Sequence, residues 1–125
     1  NGEVDERCIA LGRDGDEAAR ILLERCPDTT AIFAVNDARA VEVLRGLYDM
    51  GLRVPQDMSV IGVDDAVHSP DGLPALTTVA FPHYEIGYLG AELLLKQIED
   101  EALYYANVLV HSTLVERDSC AAHYD

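Results

Sequence analysis

The sequence predicts an α/β fold in which a parallel sheet is flanked by helices. Short apolar runs typical of buried strands alternate along the chain with longer stretches that have helical periodicity. The apolar fraction of 49% is ordinary for a globular protein, and 125 residues suffice for one domain with one core. Strands that alternate with helices are joined by right-handed crossovers, so we expect them to lie parallel.

The N-terminal part of the chain predicts a strand followed by a helix. The apolar run 8–11 is typical of a short buried strand. A polar turn around Asp14 supplies the N-cap of a helix predicted over residues 16–25. The inward side of this helix is predicted to consist of Ala18, Ala19, Ile21, Leu22 and Cys26.

A second strand and helix follow. Residues 31–35 are all apolar, the profile of a strand buried on both faces. Asn36 and Asp37 cap a helix predicted over 38–50, and Gly51 suits the left-handed position after it. This helix is apolar on two sides, which predicts contact with the sheet and with a second surface. The two stripes are Ala40, Val43, Leu47 and Met50, and Val41, Leu44 and Tyr48.

The second half of the chain predicts the remaining strands and one long helix. A strand ends in the pair Asp64-Asp65, and Pro82 is suited to the first turn of a helix that runs to about Glu99. The predicted segments are a strand over 58–63, a loop over 66–75, an extended segment over 77–81, the helix, and a last strand region over 108–115.

The charge and composition exclude several classes of function. The formal net charge is −14, which argues against binding of a nucleic-acid backbone or an anionic membrane by these residues. No apolar run approaches the roughly 20 residues that span a bilayer. Residues 1–6 have neither the basic nor the apolar region of a signal peptide, and we expect them to be a turn or a cut end rather than a natural start.

The metal-binding residue types show no metal-binding spacing. The three cysteines fit no zinc motif, and an odd number fits no closed set of disulfides, so we expect reduced thiols, two of them buried. The four histidines are scattered. The sequence therefore predicts neither a metal nor another cofactor.

Two polar pairs follow two predicted strands: Asn36-Asp37 and Asp64-Asp65. Ligands of open parallel sheets bind beyond the carboxyl ends of the strands. If the strands are neighbours, the donors of Asn36 and the acceptors of Asp64 suit a polyhydroxylated or amine-bearing small molecule. The alternative is that one pair merely caps a helix and the other merely opens a loop.

Catalysis has weaker support in the sequence. A Ser-His-Asp set assembled from Ser59 or Ser69 with a histidine lacks a nucleophile elbow. A phosphoryl-transfer receiver would need a lysine at a later strand end, but the only lysine, Lys96, lies inside a predicted helix. We therefore predict that the chain is not an enzyme.

Five segments, in order, resemble the lactose/galactose repressor family of bacterial transcription regulators. The resemblance is carried by the runs AIFAVNDARA (31–40), GLRVPQDMSVIGVDD (51–65), PALTTV (74–79), EIG through LL (85–94) and LVERDS (114–119). It implies the effector-binding region, with a two-lobed fold similar to type I periplasmic binding proteins. It also implies that the DNA-binding head and the first half of the N-terminal lobe lie outside this chain.

The resemblance implies a division of the chain between the lobes. Residues 1–81 would form most of the C-terminal lobe, 82–107 a helix segment of the N-terminal lobe, and 108–125 the return to the C-terminal lobe. Asn36, Asp64 and His83 would contact the effector, although His83 is alternatively only a helix start. The family's aromatic residue near the first strand has no counterpart at residues 10–12, which leaves the effector class open.

The resemblance also implies a cytoplasmic homodimer that binds a sugar-like effector. Operator DNA would be bound only through the N-terminal head, and no membrane is involved. The implied dimer interface is on the two-sided helix and the loop near His68, the alternative being that both helix sides are buried within the chain. Its residues would be Arg39, Val41, Leu44, Arg45, Tyr48 and His68. The alternative functions are a periplasmic sugar-binding protein of a transport system and a dimerisation scaffold without a ligand site.

Overall fold

A computed structural model describes residues 5–99 and 107–122 and divides the chain into two compact units. The first unit runs to Ala80 and resumes at Leu114, and the second is Phe81–Thr113. Helices flank a mostly parallel sheet, which confirms the predicted fold class. Among the residues described, no helix combines the length and the apolar character needed to cross a membrane.

The sheet has four strands in the order β1-β2-β3-β4. β2 is central: β1 pairs with one side of it and β3 with the other, both in parallel. The predicted strand 58–63 is therefore confirmed. The strands are β1 (Ala31–Phe33), β2 (Ser59–Val63), β3 (Thr77–Ala80) and β4 (Thr113–Val115).

The first two helices begin at the predicted caps. In α1 (Gly15–Arg25) the side chain of Asp14 accepts a hydrogen bond from the N–H of Glu17. In α2 (Asp37–Asp49) the side chain of Asn36 does the same for Arg39. Gly51 follows α2 with a φ of 78°, the left-handed conformation expected after a helix end.

The core lies between α2 and one face of the sheet. Gly62 of β2 packs so closely on α2 that a methyl group there would overlap the Asp37 carboxyl group and contact Ala40. Both apolar sides of α2 contribute to this core, so intramolecular burial accounts for most of the second stripe. The buried apolar residues are Ala19, Leu22, Ile32, Ala34, Ala40, Val41, Val43, Leu44, Leu47, Met58, Val60 and Leu76.

Four expectations from the sequence are wrong. The run 8–11 forms no strand; a 3-10 turn (Glu6–Cys8) is followed by irregular backbone, because no neighbouring strand pairs with it. β1 is shorter than predicted and is buried on one face only, since Phe33 is 67% exposed. Of the last strand region predicted over 108–115, only β4 (Thr113–Val115) forms a strand. None of the three cysteines is buried.

The second unit contains the long helix α3 (His83–Glu99), which confirms the predicted helix. Its apolar residues are not covered within the described chain: none of them is buried. Ile86 is 45% and Ile98 is 70% exposed. Tyr84 and Tyr88 stack along the helix, with ring centroids 6.5 Å apart.

Candidate functional site

The ends of β1 and β2 bring Asn36 and Asp64 to the same edge of the sheet. Phe33 lies opposite Ile61, and the N–H of Ala34 donates to the Ile61 carbonyl over 2.9 Å. Asn36 keeps an extended backbone, with φ −156° and ψ 170°. Asn36 and Asp64 therefore follow the carboxyl ends of two neighbouring parallel strands and lie beyond the same edge of the sheet, as the sequence predicts for neighbouring strands.

Asn36 caps α2 and still presents an amide group. Its Oδ1 atom accepts the N–H of Arg39 over 2.9 Å, so the interpretation of this residue as a helix cap is confirmed. None of the hydrogen bonds found among residues 5–99 and 107–122 uses its Nδ2 atom, and the side chain is half-buried. The amide nitrogen can therefore donate two hydrogen bonds to a small molecule at this edge.

Asp64 and Asp65 both have left-handed backbone conformations, with φ of 107° and 55°. Such conformations cost about 1–3 kcal/mol for a residue other than glycine, and they concentrate at functional sites. The N–H of Asp64 donates to the Val79 carbonyl over 2.9 Å, which fixes the residue against β3. The strained turn thus holds the half-buried Asp64 in one orientation just beyond β2.

Arg117 anchors the second residue of this turn. Its Nη2 atom donates to Asp65 Oδ1 over 2.6 Å, and its Nη1 atom donates to the Leu76 carbonyl over 2.8 Å. The backbone N–H of Arg117 donates to Thr77 Oγ1 over 3.0 Å. Asp65 is therefore a structural partner of the C-terminal segment.

Asp37 is the residue whose importance sequence reasoning missed. Its carboxyl group is 1% exposed and accepts a hydrogen bond from the Thr78 hydroxyl over 2.6 Å. The other oxygen accepts the N–H of Ala66 over 2.9 Å and that of Val67 at 3.5 Å. One carboxyl group therefore joins the start of α2, the loop after Asp64 and β3. The only signal in the sequence is an acidic residue in the first turn of a helix. The helix dipole is a sufficient reason for an acidic residue there, so this position does not indicate the hydrogen-bond network.

Ser119 makes a second buried connection beneath the site. Its hydroxyl donates to the Val60 carbonyl over 2.6 Å and accepts the N–H of Thr77 over 2.8 Å. The residue is completely buried. The C-terminal segment is thereby tied to both β2 and β3.

His83 belongs to the second unit, where it is the first residue of α3. It is exposed, and its ring meets that of Phe81 edge-on with centroids 6.2 Å apart. It therefore starts a helix, as the alternative interpretation holds. Its contact with an effector stays a prediction.

The predicted dimer residues fall into two groups. Val41 and Leu44 are buried in the core, at 6% and 1% exposure, whereas Arg45, Tyr48 and His68 are exposed. Their role in a dimer stays a prediction.

Arg39 is the half-buried member of the same set. Its Nη1 atom donates to Glu42 Oε2 over 2.8 Å and to the Arg13 carbonyl over 3.0 Å. The N–H of Gly15 also donates to Glu42. These contacts lower the pKa of Glu42, the hydrogen bond from Gly15 first and that from Arg39 second. Arg39 therefore also connects α1 to α2 within the chain.

An apolar concavity of the first unit lies elsewhere, at the open edge of β1. It has a volume of about 850 Å³ and an apolar lining that includes Leu11, Leu22 and Phe33. Neither Asn36 nor Asp64 lines it. We place the candidate site by the polar groups at the strand ends, because this groove offers few groups that could orient a polar ligand.

Comparison with known proteins identifies the family. The profile of the periplasmic binding protein-like domain matches residues 3–120. The chain is 34% identical over 121 residues to the transcriptional regulator CelR of Thermobifida fusca, covering 94% of this chain and 36% of that protein. It is 38% identical over 105 residues to the ribose operon repressor of Escherichia coli K12, covering 84% of this chain and 32% of the repressor.

Solved structures agree with these relatives. The complex of CelR with cellobiose superimposes with a TM-score of 0.80 at 34% identity, covering 94% of this chain and 37% of that one. A regulator of the lactose repressor (LacI) family from Enterococcus faecium with bound ribose gives 0.68 at 31% identity, covering 86% and 39%. The chain spans about a third of the length of the curated relatives it matches. It belongs to the periplasmic-binding-protein-like domains of the lactose/galactose repressor family of transcription regulators.

Proposed function

We propose that this chain is the effector-sensing and dimerisation region of a bacterial DNA-binding regulator, and that it binds a sugar or sugar-like molecule. The observation that carries the proposal is that Asn36 and the strained Asp64 follow the ends of neighbouring parallel strands at one edge of the sheet. An amide donor and a carboxylate acceptor at the same edge match the hydroxyl groups of a sugar. Two similar regulators have cellobiose and ribose in their structures, which supports this class of effector.

The proposed effector lies between two lobes of the intact protein. Residues 1–81 would form most of the C-terminal lobe, 82–107 a helix segment of the N-terminal lobe, and 108–125 the return. The division of the chain after Ala80 supports the first of these boundaries, and the first unit resumes at Leu114, six residues after the second. His83, two residues after the first boundary, would contact the effector from the N-terminal lobe.

Effector binding would regulate DNA binding by its differential affinity for two lobe arrangements. One arrangement of the dimer would bind operator DNA and the other would release it. The net charge of −14 fits a region that contacts no DNA itself, so operator binding would rest on a separate N-terminal head. The intact regulator would work in the cytoplasm, without a cofactor and without catalysis.

The dimer would form on the exposed side of α2 and the loop that follows β2. Tyr48 is 69% exposed and lines a groove with Leu73 and Pro74 of that loop. Arg39, Arg45 and His68 would surround this contact. Val41 and Leu44 would support it from within the core.

Replacing Asp64 by Ala in the intact regulator tests the effector site. We expect the variant to bind operator DNA normally but to lose its response to cellobiose, ribose and other sugars in a reporter assay. Asp28→Ala is the matched control, because it removes the same charge from an exposed position outside the proposed effector site and dimer interface. Induction that survives in Asp64→Ala, or is equally lost in the control, would contradict the assignment of Asp64.

Affinity of the isolated chain gives a second test of the same proposal. Calorimetric titration with the same sugars should detect weak binding or none, because half of the proposed cleft lies outside these residues. A sub-micromolar dissociation constant for the 125-residue chain would show that the site does not need a second lobe.

Variants that introduce a negative charge test the proposed dimer interface. Arg45→Glu and Tyr48→Asp should shift the intact regulator toward monomer in sedimentation velocity runs, since each places a carboxylate in the interface. Arg25→Glu is the control, because it makes the same change on an exposed arginine of α1. A dimer that persists in both interface variants would place the interface on another surface.

A further inference from the structure

Two of the three cysteines lie side by side at one end of the first unit. The Sγ atoms of Cys8 and Cys26 are 3.1 Å apart, close enough for one thiol to donate a hydrogen bond to the other. Both are free thiols in this structure, Cys8 exposed and Cys26 half-buried. A disulfide bond has a sulfur–sulfur distance of about 2.05 Å, so closure needs an approach of roughly 1 Å. We propose that Cys8 and Cys26 are a reversible dithiol–disulfide pair.

The backbone around each cysteine is already fixed. The N–H of Cys8 donates to the Asp5 carbonyl over 2.9 Å at the end of the 3-10 turn. Cys26 caps α1, its N–H donating to the Leu22 carbonyl over 2.8 Å and its carbonyl accepting from the Thr29 hydroxyl over 2.7 Å. The folded chain therefore already holds the two sulfur atoms close together. Formation of the disulfide bond requires little further loss of conformational freedom.

Cys8 reacts with the oxidant first, because it is the more exposed of the two thiols. The pKa of its thiol is raised, chiefly by the hydrogen bond with Cys26, so at neutral pH it is mostly protonated and reacts only slowly without an oxidant in excess. The oxidant would be a small disulfide such as oxidised glutathione. The deprotonated Cys8 sulfur attacks it, forms a mixed disulfide and releases one glutathione thiolate.

Cys26 then completes the reaction. Its sulfur loses a proton to solvent, attacks Cys8 in the mixed disulfide and releases the second glutathione. Two protein thiols are oxidised and one glutathione disulfide is reduced to two thiols. The new bond ties the 3-10 turn to the end of α1, and with it the irregular segment 9–12 that forms one wall of the apolar groove beside β1. The pair is separate from Asn36 and Asp64, so this inference is independent of the proposed effector site.

Cys120 provides a matched control within the same chain. It is half-buried, and its Sγ atom donates to the Val60 carbonyl over 3.2 Å. It has no neighbouring thiol among the described residues. On oxidation we therefore expect a disulfide bond between Cys8 and Cys26 and none at Cys120.

The experiment equilibrates the purified chain with oxidised glutathione, blocks the remaining thiols by alkylation, and maps the products by mass spectrometry. The wild type and Cys120→Ser should each lose two thiols and two hydrogen atoms, with the bond mapped between Cys8 and Cys26. Cys8→Ser and Cys26→Ser should instead carry glutathione on the remaining cysteine of the pair. A bond to Cys120, a bond between two chains, or an unchanged thiol count in the wild type would overturn the proposal.

Thermal unfolding gives a second readout of the same bond. The oxidised wild type should melt roughly 5–10 °C above the reduced protein, because the bond closes a loop in the unfolded chain. Oxidant should not raise the melting temperature of Cys8→Ser. An equal rise in this variant would show that the stabilisation comes from another reaction.

Discussion

Removal of the Asp37 carboxyl group should be among the most damaging single changes in the first unit. In Asp37→Ala the Thr78 hydroxyl and the Ala66 N–H both lose their acceptor. Thr78 is completely buried, so water does not replace the lost bond at this position. Removing an acceptor so that a buried donor is left unsatisfied costs about 1–3 kcal/mol for each donor. With two donors affected, we expect a loss of roughly 2–6 kcal/mol in the free energy of unfolding.

The Asn and Val variants separate the hydrogen bonds from the charge. In Asp37→Asn the carbamoyl oxygen can still accept the Ala66 N–H, while the amide donates to the Thr78 oxygen, because a hydroxyl accepts as well as donates. The loss should then be about 1 kcal/mol. Thr78→Val keeps the volume but removes one donor, and should cost about 1.5–3 kcal/mol.

Urea unfolding followed by circular dichroism measures these differences, and hydrogen exchange at the Ala66 amide reports the loop directly. Exchange at Ala66 should accelerate in Asp37→Ala and stay slow in Asp37→Asn. The reasoning fails if the Ala variant loses less than about 1 kcal/mol, or if the Asn variant is as unstable as the Ala variant.

Three further changes have definite expected outcomes. Ser119→Ala leaves the buried N–H of Thr77 without its acceptor and should lower the free energy of unfolding in urea by about 1–3 kcal/mol. Ser119→Thr keeps the hydroxyl group and adds a methyl group, so it tests whether the space at this position limits stability. The pKa of Asp57 is lowered to about 2, first by the side-chain hydrogen bond from Arg53. Its contribution to stability is therefore present above about pH 4 and is lost as the pH falls through about 2, so Asp57→Asn should flatten the stability profile between these values. Asp64→Gly and Asp64→Ala both lack the carboxyl group, but only glycine adopts a φ of 107° without strain, so Asp64→Gly should be the more stable variant by about 1 kcal/mol in urea unfolding; equal stability of the two would contradict the strain.

The helices were predictable because their signals are local. Asp14 and Asn36 are capping residues directly before periodic segments, and Gly51 follows the second segment in the conformation that ends helices. Each signal acts within one helical turn, so no knowledge of the rest of the fold is needed. Accordingly, α1 begins one residue before its predicted start, and α2 begins and ends one residue before its predicted bounds.

The apolar runs were less reliable because a strand exists only with a neighbour. Residues 8–11 have the composition of a buried strand, but in this structure an open groove of about 850 Å³ separates them from β1. For the same reason Phe33 is exposed although its neighbours in sequence are apolar. Hydrophobicity indicates that a segment favours burial, but the partner that would bury it is set by the whole fold.

The candidate site shows the same division between local and distant information. Asn36 and Asp64 could be paired in advance, because the ends of neighbouring parallel strands meet at one edge. The contact of Asp37 with Thr78 could not, since the two residues are far apart in sequence and an acidic residue at a helix start has a sufficient local explanation.

The strained turn also explains why four separate motifs occur together in this chain. A φ of 107° at Asp64 persists only if the surrounding structure holds it. Its own N–H is bound to Val79, the next side chain is bound to Arg117, and the N–H after that is bound to Asp37. Those contacts come from β3, the C-terminal segment and α2, which carry the TT, R.S and ND motifs, while the turn itself carries the DD motif. The motifs are thus parts of one network that holds the backbone turn at Asp64 and Asp65. Under the role proposed for Asp64, weakening any of these three contacts should reduce the effector response before it unfolds the domain.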